Sequence, residues 1–328
     1  MNKFKYNKVI IWGYPMRWEY PYAHTHSYVH HSYHKAFSYL GYNVHWFDDE
    51  NYPKDFDFSN SLFIGEGFAD KNIPINNTSC YMIMYCPSPE KYKIAERFID
   101  VRTAGNCTDH IHDYKMDLNS VIKIGPGCYF EPKTSQKTHV KNDYVDYLID
   151  DYDRVYISWA TNLLPHEINF DDIYINREPV IHYLGTISPA GKYQNYTNFV
   201  PFLKACSDNG IRFIHNDPWH NPLSFEDVKI RTQKSLLGID IRGPEHISQR
   251  VITCRIFKNI SYGHLGLTNS EGMYEIMDGN CIYNTNTEEL FYDGMKNKDN
   301  YKLIYDGMMF VKENHTYINR INSLLSIL

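Results

Sequence analysis

Histidines crowd one short segment of this 328-residue chain: His24, His26, His30, His31 and His34 fall within eleven positions. An imidazole titrates near neutrality, so it can take or give a proton during a reaction. His24 and His26 stand where a loop enters a helix-like stretch, and they are the candidate general bases. Glu66, set between Gly65 and Gly67, and Glu19 are carboxylates available for the same work. His30 and His34 are four residues apart and share a helix face, which suits packing or solvent as well as chemistry.

A second set of chemistry-bearing residues lies in the C-terminal half. Gly185-Thr186, Asn216, Arg242-Gly243 and Asn269-Ser270 each follow a strand-like apolar run. A glycine there lets the backbone approach a ligand closely, and a helix N-terminus near Ser248 offers N–H groups to an anion. Arg242 and Arg250 can grip a diphosphate with bidentate bonds, which suits guanidinium better than ammonium. A plainer role stands beside this one: Arg242 pairing with Asp240 or Glu245, and Arg250 as a solvated helix residue.

These residues need a scaffold that brings strand ends together. Short apolar runs over Lys8–Tyr14, Tyr42–Phe47, Leu62–Ile64, Cys80–Cys86 and Asp153–Trp159 read as strands, with a helix over His26–Leu40. Arg97–Val101 and Val121–Ile124 carry weaker strand patterns. A polar stretch over Pro165–Pro179 reads as a linker, and the pattern restarts beyond it. Pro179–Leu184, Ile211–His215, Ser235–Ile241, His264–Thr268 and Cys281–Tyr283 read as strands. Asn195–Ser207, Phe225–Lys234, Ser248–Ser261, Thr287–Met295 and Tyr301–Leu328 read as helices. Strands separated by single helices predict parallel sheets with crossover connections, and ligands then sit beyond the carboxyl ends of the strands. The fold class expected is α/β, with two Rossmann-like doubly wound domains. Their expected spans are 1–168 and 179–312, with a terminal helix over 313–328 packing back on the first.

Composition narrows the field. The net charge is −6 and no run of Lys or Arg occurs, which argues against a nucleic-acid partner. Aromatic residues make up 16% of the chain, mostly tyrosine, and tyrosine offers sugars a flat face and a hydroxyl; an AT-rich coding bias would produce the same surplus. The seven cysteines form no CxxC pair and suit reduced thiols, so a cytoplasmic location is expected. No signal peptide and no membrane span are expected.

The stretch Ile239-Asp-Ile-Arg-Gly-Pro-Glu-His-Ile-Ser-Gln-Arg250, followed by Ser261-Tyr-Gly-His-Leu-Gly-Leu-Thr-Asn269, resembles the C-terminal block of GT-B-fold glycosyltransferases. Within that class it is most similar to the spore-maturation CgeB-like type. The segments Trp159-Ala-Thr-Asn-Leu-Leu-Pro165, Asn284–Leu290 and Glu313–Arg320 resemble the same proteins. The resemblance implies two domains facing each other across a cleft. A nucleotide-diphosphate sugar is then held by the second domain, and a glycan or other hydroxyl acceptor by the first. It implies donor contacts at Gly185, Thr186, Asn216, Arg242, Gly243, Ser248, Arg250, Asn269 and Ser270. A base at His24 or His26, with Glu66 in reserve, would then act without metal or cofactor, leaning toward inversion. The chain departs from the retaining members at Thr253-Cys254-Arg255, where no glutamate stands. Two alternatives are a non-catalytic nucleotide-sugar binder and a metal-dependent hydrolase using His24-x-His26. The hydrolase would need further ligands such as His215 and Asp240, and its motif would sit nearer the strand end.

Overall fold

The computed structural model describes residues 5–14, 25–103, 121–133, 136–141, 144–149, 152–189, 194–218, 220–248 and 250–328. The chain forms two units, 1–158 with 317–328 and 159–316. The division falls ahead of the stretch 165–179 that composition suggested as a linker. That stretch is packed within the second unit, where Phe170 meets Tyr305 at 4.8 Å and Asp172 accepts from Gln233 at 2.8 Å.

The first unit contains β1 (Lys8–Trp12), α1 (Thr25–Tyr39), β2 (Val44–Phe47), β3 (Ser61–Glu66), β4 (Cys80–Met84) and β5 (Arg97–Thr103). The hairpins β6 (Ile122–Gly125)–β7 (Cys128–Glu131) and β8 (Gln136–Lys141)–β9 (Tyr144–Ile149) follow, then β10 (Asp153–Ile157). Eight strands form one sheet in the order β2-β1-β3-β4-β5-β10-β7-β6. It is parallel from β2 to β10 and antiparallel beyond, so the sheet is mixed rather than wholly parallel.

Among the described residues, α1 is the one α-helix between β1 and β5, where a helix per crossover was expected. Loops take the helices' place on the other face. Ile10, Trp12, Phe63, Tyr81 and Ile83 point there by strand alternation and pack under Tyr52, Phe56 and Phe58 from the loops. Asp49 fastens this cover, accepting from the Trp12 indole (3.0 Å) and from the backbone N–H groups of Lys71 and Asn72 (2.9 Å each). Further along the same face the sheet turns polar: Asp100 accepts from Arg102 at 2.7 Å and Arg154 at 2.8 Å, all three buried.

The second unit contains β11 (Val180–Leu184), α2 (Tyr196–Asp208), β12 (Arg212–Asn216), α3 (Phe225–Lys234) and β13 (Gly238–Asp240). It continues with α4 (Pro244–Ser248), α5 (Arg255–Ser261), β14 (Gly266–Thr268), α6 (Glu271–Ile276), β15 (Ile282–Tyr283), α7 (Thr287–Asn297) and α8 (Tyr301–Asn314). The pairs β11–β12 and β13–β14–β15 are all parallel. Leu236 donates to the Val180 carbonyl and Ser235 Oγ accepts from the His182 N–H, which sets β13 beside β11.

Two helices read as continuous are broken. The helix expected over 248–261 is confined to α5 at its end, while α4 closes at Ser248; the β-branched run Val251-Ile252-Thr253 between them disfavours helix and sends Ile252 into the core. The span 301–328 breaks at His315-Thr316, where Thr316 pairs with Thr161. Beyond it α9 (Tyr317–Leu325) belongs to the first unit. Arg320 fixes it there, fully buried, donating to the Ser158 carbonyl at 2.8 Å and to that of Pro126 at 2.7 Å. No described helix is long and apolar enough to cross a membrane.

Candidate functional site

In the first unit, β1 ends before Gly13 and β3 ends at Glu66, side by side in the parallel register. The helix α1 runs back over this edge. Gly13 makes that approach possible: its φ is +138°, and a Cβ on it would lie 2.7 Å from His30 Cε1. His26, in the first turn of α1, reaches the strand end. Its Nδ1 lies 2.7 Å from Glu66 Oε2, and Glu66 is fully buried. Burial pushes the Glu66 carboxyl above its ordinary range, and the nearby Asp70 adds to this. His26 and Arg102 pull in the opposite direction without cancelling it.

Two tyrosines flank the imidazole. Tyr85 stacks on it with centroids 5.9 Å apart and planes inclined by 30°; Tyr14 lies 6.0 Å away at 56°. Tyr85 has a left-handed φ of +52°, a conformation that costs a residue with a side chain about 1–2 kcal/mol. His30 and His34 pack against Trp46, each 6.1 Å from it, so their shared face is a packing face. His24 and Glu19 lie outside the described residues.

In the second unit, the strand-end residues meet around Asp240, the last residue of β13, which is fully buried. Asp240 accepts from Arg242 Nε at 2.9 Å and faces Arg255 Nη1 at 3.3 Å. Arg242 also bonds Thr253 Oγ1. Asn269 closes a two-way bond with it: Oδ1 accepts from the Arg242 N–H at 2.7 Å and Nδ2 donates to its carbonyl at 3.0 Å. Gly185 donates to the Asn216 carbonyl at 3.0 Å, and its own carbonyl bonds His215 Nε2 at 2.7 Å. A Cβ on Gly185 would overlap the Arg255 guanidinium, which lies over the Tyr183 ring at 4.5 Å.

Gly185, Asn216, Arg242, Gly243, Asn269 and Ser270 therefore share one strand edge; the first two are joined directly, and Ser270 is buried there. Thr186 is exposed beside them, its carbonyl accepting from Asn195. Arg250 points elsewhere, paired with Glu271 at 3.1 Å and with Glu275. The Ser248 hydroxyl returns to the Glu245 carbonyl at 2.9 Å. Arg242 is spoken for by Asp240, the plainer of its two readings.

No protein-family model and no curated protein sequence matches this chain. Among the described residues, no group of three or more His, Cys, Asp or Glu side chains converges as a metal centre. The geometry supplies two chemical capacities. The His26–Glu66 pair can move a proton: a carboxylate on Nδ1 fixes the tautomer and steadies an imidazolium, so the base role falls to Nε2. The Asp240 cluster holds two guanidiniums rigidly at the mouth of a glycine turn. Sequence reasoning missed Arg255 and Tyr85. Arg255 opens the helix after the β-branched break, and Tyr85 follows the apolar strand that begins at Cys80; both positions face a strand end once the break and the strand length are placed correctly.

Proposed function

We propose that this protein is a glycosyltransferase of GT-B type that moves a sugar from a nucleotide-diphosphate sugar to an acceptor hydroxyl. The observation that carries the reading is the His26–Glu66 pair at the strand ends of an α/β unit. The C-terminal resemblance supplies the donor class, and the parallel strands of the second unit suit it. In this reading His26 Nε2 takes the proton of the acceptor hydroxyl. The hydroxyl oxygen attacks the anomeric carbon, the bond to the diphosphate oxygen breaks, and the diphosphate leaves with the electron pair. Glu66 steadies the imidazolium formed. One displacement of this kind inverts the anomeric centre.

The departing diphosphate needs positive groups that are already in place. Arg255 is the guanidinium beside the Gly185–Thr186 turn and keeps part of its surface open, so it takes this role with the backbone of Gly185 and Gly243. Arg242 supports it through Asp240. The six described cysteines are free, which suits a reducing cytoplasm. A thermal-shift screen with UDP, GDP, TDP and their sugars, in chelator, tests the donor site. A bound donor raises the melting temperature by mass action. Arg255→Ala loses that shift and Arg250→Ala keeps it. Donors that bind yet are neither hydrolysed nor transferred to any acceptor would leave only a binding protein.

A further inference from the structure

We propose that Tyr85 is a positioning residue for His26: its ring holds the imidazole in the orientation that keeps Nδ1 on Glu66. The inference rests on reading His26 as the base, but its first test does not depend on turnover.

Tyr85 follows β4, the neighbour of β3 in the sheet, so it stands next to Glu66. Its backbone is held on three sides. The N–H donates to the Val101 carbonyl at 3.1 Å. The φ of +52° turns the chain sharply after Met84. Gly67, directly after Glu66, lies against the turn so closely that a Cβ there would come 2.6 Å from the Tyr85 carbonyl oxygen and 2.7 Å from Cys86 Cα. The hydroxyl end bonds Thr103 Oγ1 on β5. A strained, doubly anchored tyrosine at a strand end is the kind of backbone cost found where a side chain must be aimed.

What it is aimed at is the His26 ring, 5.9 Å away and inclined by 30°. An imidazole has two nitrogens that a ring flip exchanges. A flat neighbour on one face, with Tyr14 on another side at 6.0 Å, fixes the ring plane, and within that plane the nitrogen on Glu66 is Nδ1. The groups around the pair are Glu66, Asp70 and Arg102 with the two tyrosines. Replacing the Tyr85 ring leaves the three charged groups in place, so a change in His26 tautomer reports the lost contact.

The test is long-range 15N NMR of histidine-labelled full chain, with His26→Gln to assign the signal. The wild type shows one tautomer of the neutral ring, protonated at Nδ1. In Tyr85→Leu the two nitrogen shifts move toward each other, while Tyr85→Phe keeps the wild-type pattern. Once a donor and acceptor are in hand, Tyr85→Leu lowers kcat by about 10²-fold with KM little changed, and Tyr85→Phe restores most of it. A wild-type nitrogen pattern in Tyr85→Leu overturns the proposal. Should that variant fail to fold, the unmodified protein decides. Stacking displaces the His26 ring protons upfield of their unfolded positions, and undisplaced protons overturn the proposal. A tautomer effect without turnover on any donor keeps the positioning role and removes the transferase reading instead.

Discussion

Glu66 and Asp240 hold corresponding places in two different sheets. Each ends the third parallel strand of its unit, and each is fully buried. Their neighbours differ, and so does what they can do. Asp240 faces two guanidiniums, Arg242 and Arg255, and works as the fixed anion of a cationic cluster. Glu66 faces one imidazole, and burial raises its carboxyl above the ordinary range. The strand end supplies a buried, dry position in both cases. The partner decides whether the carboxylate stays an anchor or becomes part of an acid–base pair.

The largest effect expected falls on Asp240. Asp240→Asn leaves two largely buried guanidiniums without their counter-charge, and breaking a buried pair from one side costs about 3–5 kcal/mol. Urea unfolding followed by hydrogen exchange places that loss in residues 159–316. An unchanged midpoint would mean that Arg242 and Arg255 find other partners and that the cluster is not held by its anion. Asp49→Ala is the counterpart in the first unit. It removes three hydrogen bonds, one from the part-buried Trp12 indole and two from the backbone N–H groups of Lys71 and Asn72, which water can reach, a loss of about 1–2 kcal/mol. Its exchange signature belongs to residues 61–84 rather than to the second unit.

The contrast also explains what could be read from the chain. Strands such as Lys8–Trp12 and Cys80–Met84 are continuous apolar runs because both faces of the sheet are covered, and α3 is marked at both ends, by the Ser224 cap and the Lys234-Ser235 stop. The helix breaks at 250–254 and 315–316 were invisible to periodicity, because Ile252, Ile256 and Ile260 still recur at helical spacing. The hairpin β8–β9 carries Lys, His and Asp among its apolar residues and gives no clear alternation. His26, where a loop enters the first helix, and Glu66, at the end of the third strand, were each legible as titratable groups. Their contact was not, since forty residues separate them and only the register of β1 with β3 joins them.

Helix capping gives a smaller and more local comparison. Asn286 caps α7 by accepting from the N–H groups of Glu288 (3.0 Å) and Glu289 (3.4 Å). Asn286→Ala costs about 1 kcal/mol, read as a lower urea midpoint. The first unit has loops where the second has helices, so losses of this size are expected across residues 159–316 and not across 40–97. An equal spread of cap effects in both units would erase the distinction.

The smallest stability effect is the one with the sharpest sign. The Glu66 carboxyl is raised in the folded protein, so folding favours its neutral form. Its contribution to stability is fully present below about pH 4.5, the ordinary glutamate value, and is lost as pH rises through the folded pKa. Glu66→Gln keeps the shape and stays neutral throughout. Its melting temperature therefore matches the wild type near pH 4 and exceeds it slightly at pH 7, whereas a salt-bridge role would put it below. In the transferase proposed above, the same variant also loses the carboxylate that steadies His26, and turnover is expected to fall where stability rises. A Glu66→Gln protein less stable than wild type at pH 7 would place Glu66 with Asp240, as an anchor, and remove the acid–base half of the comparison.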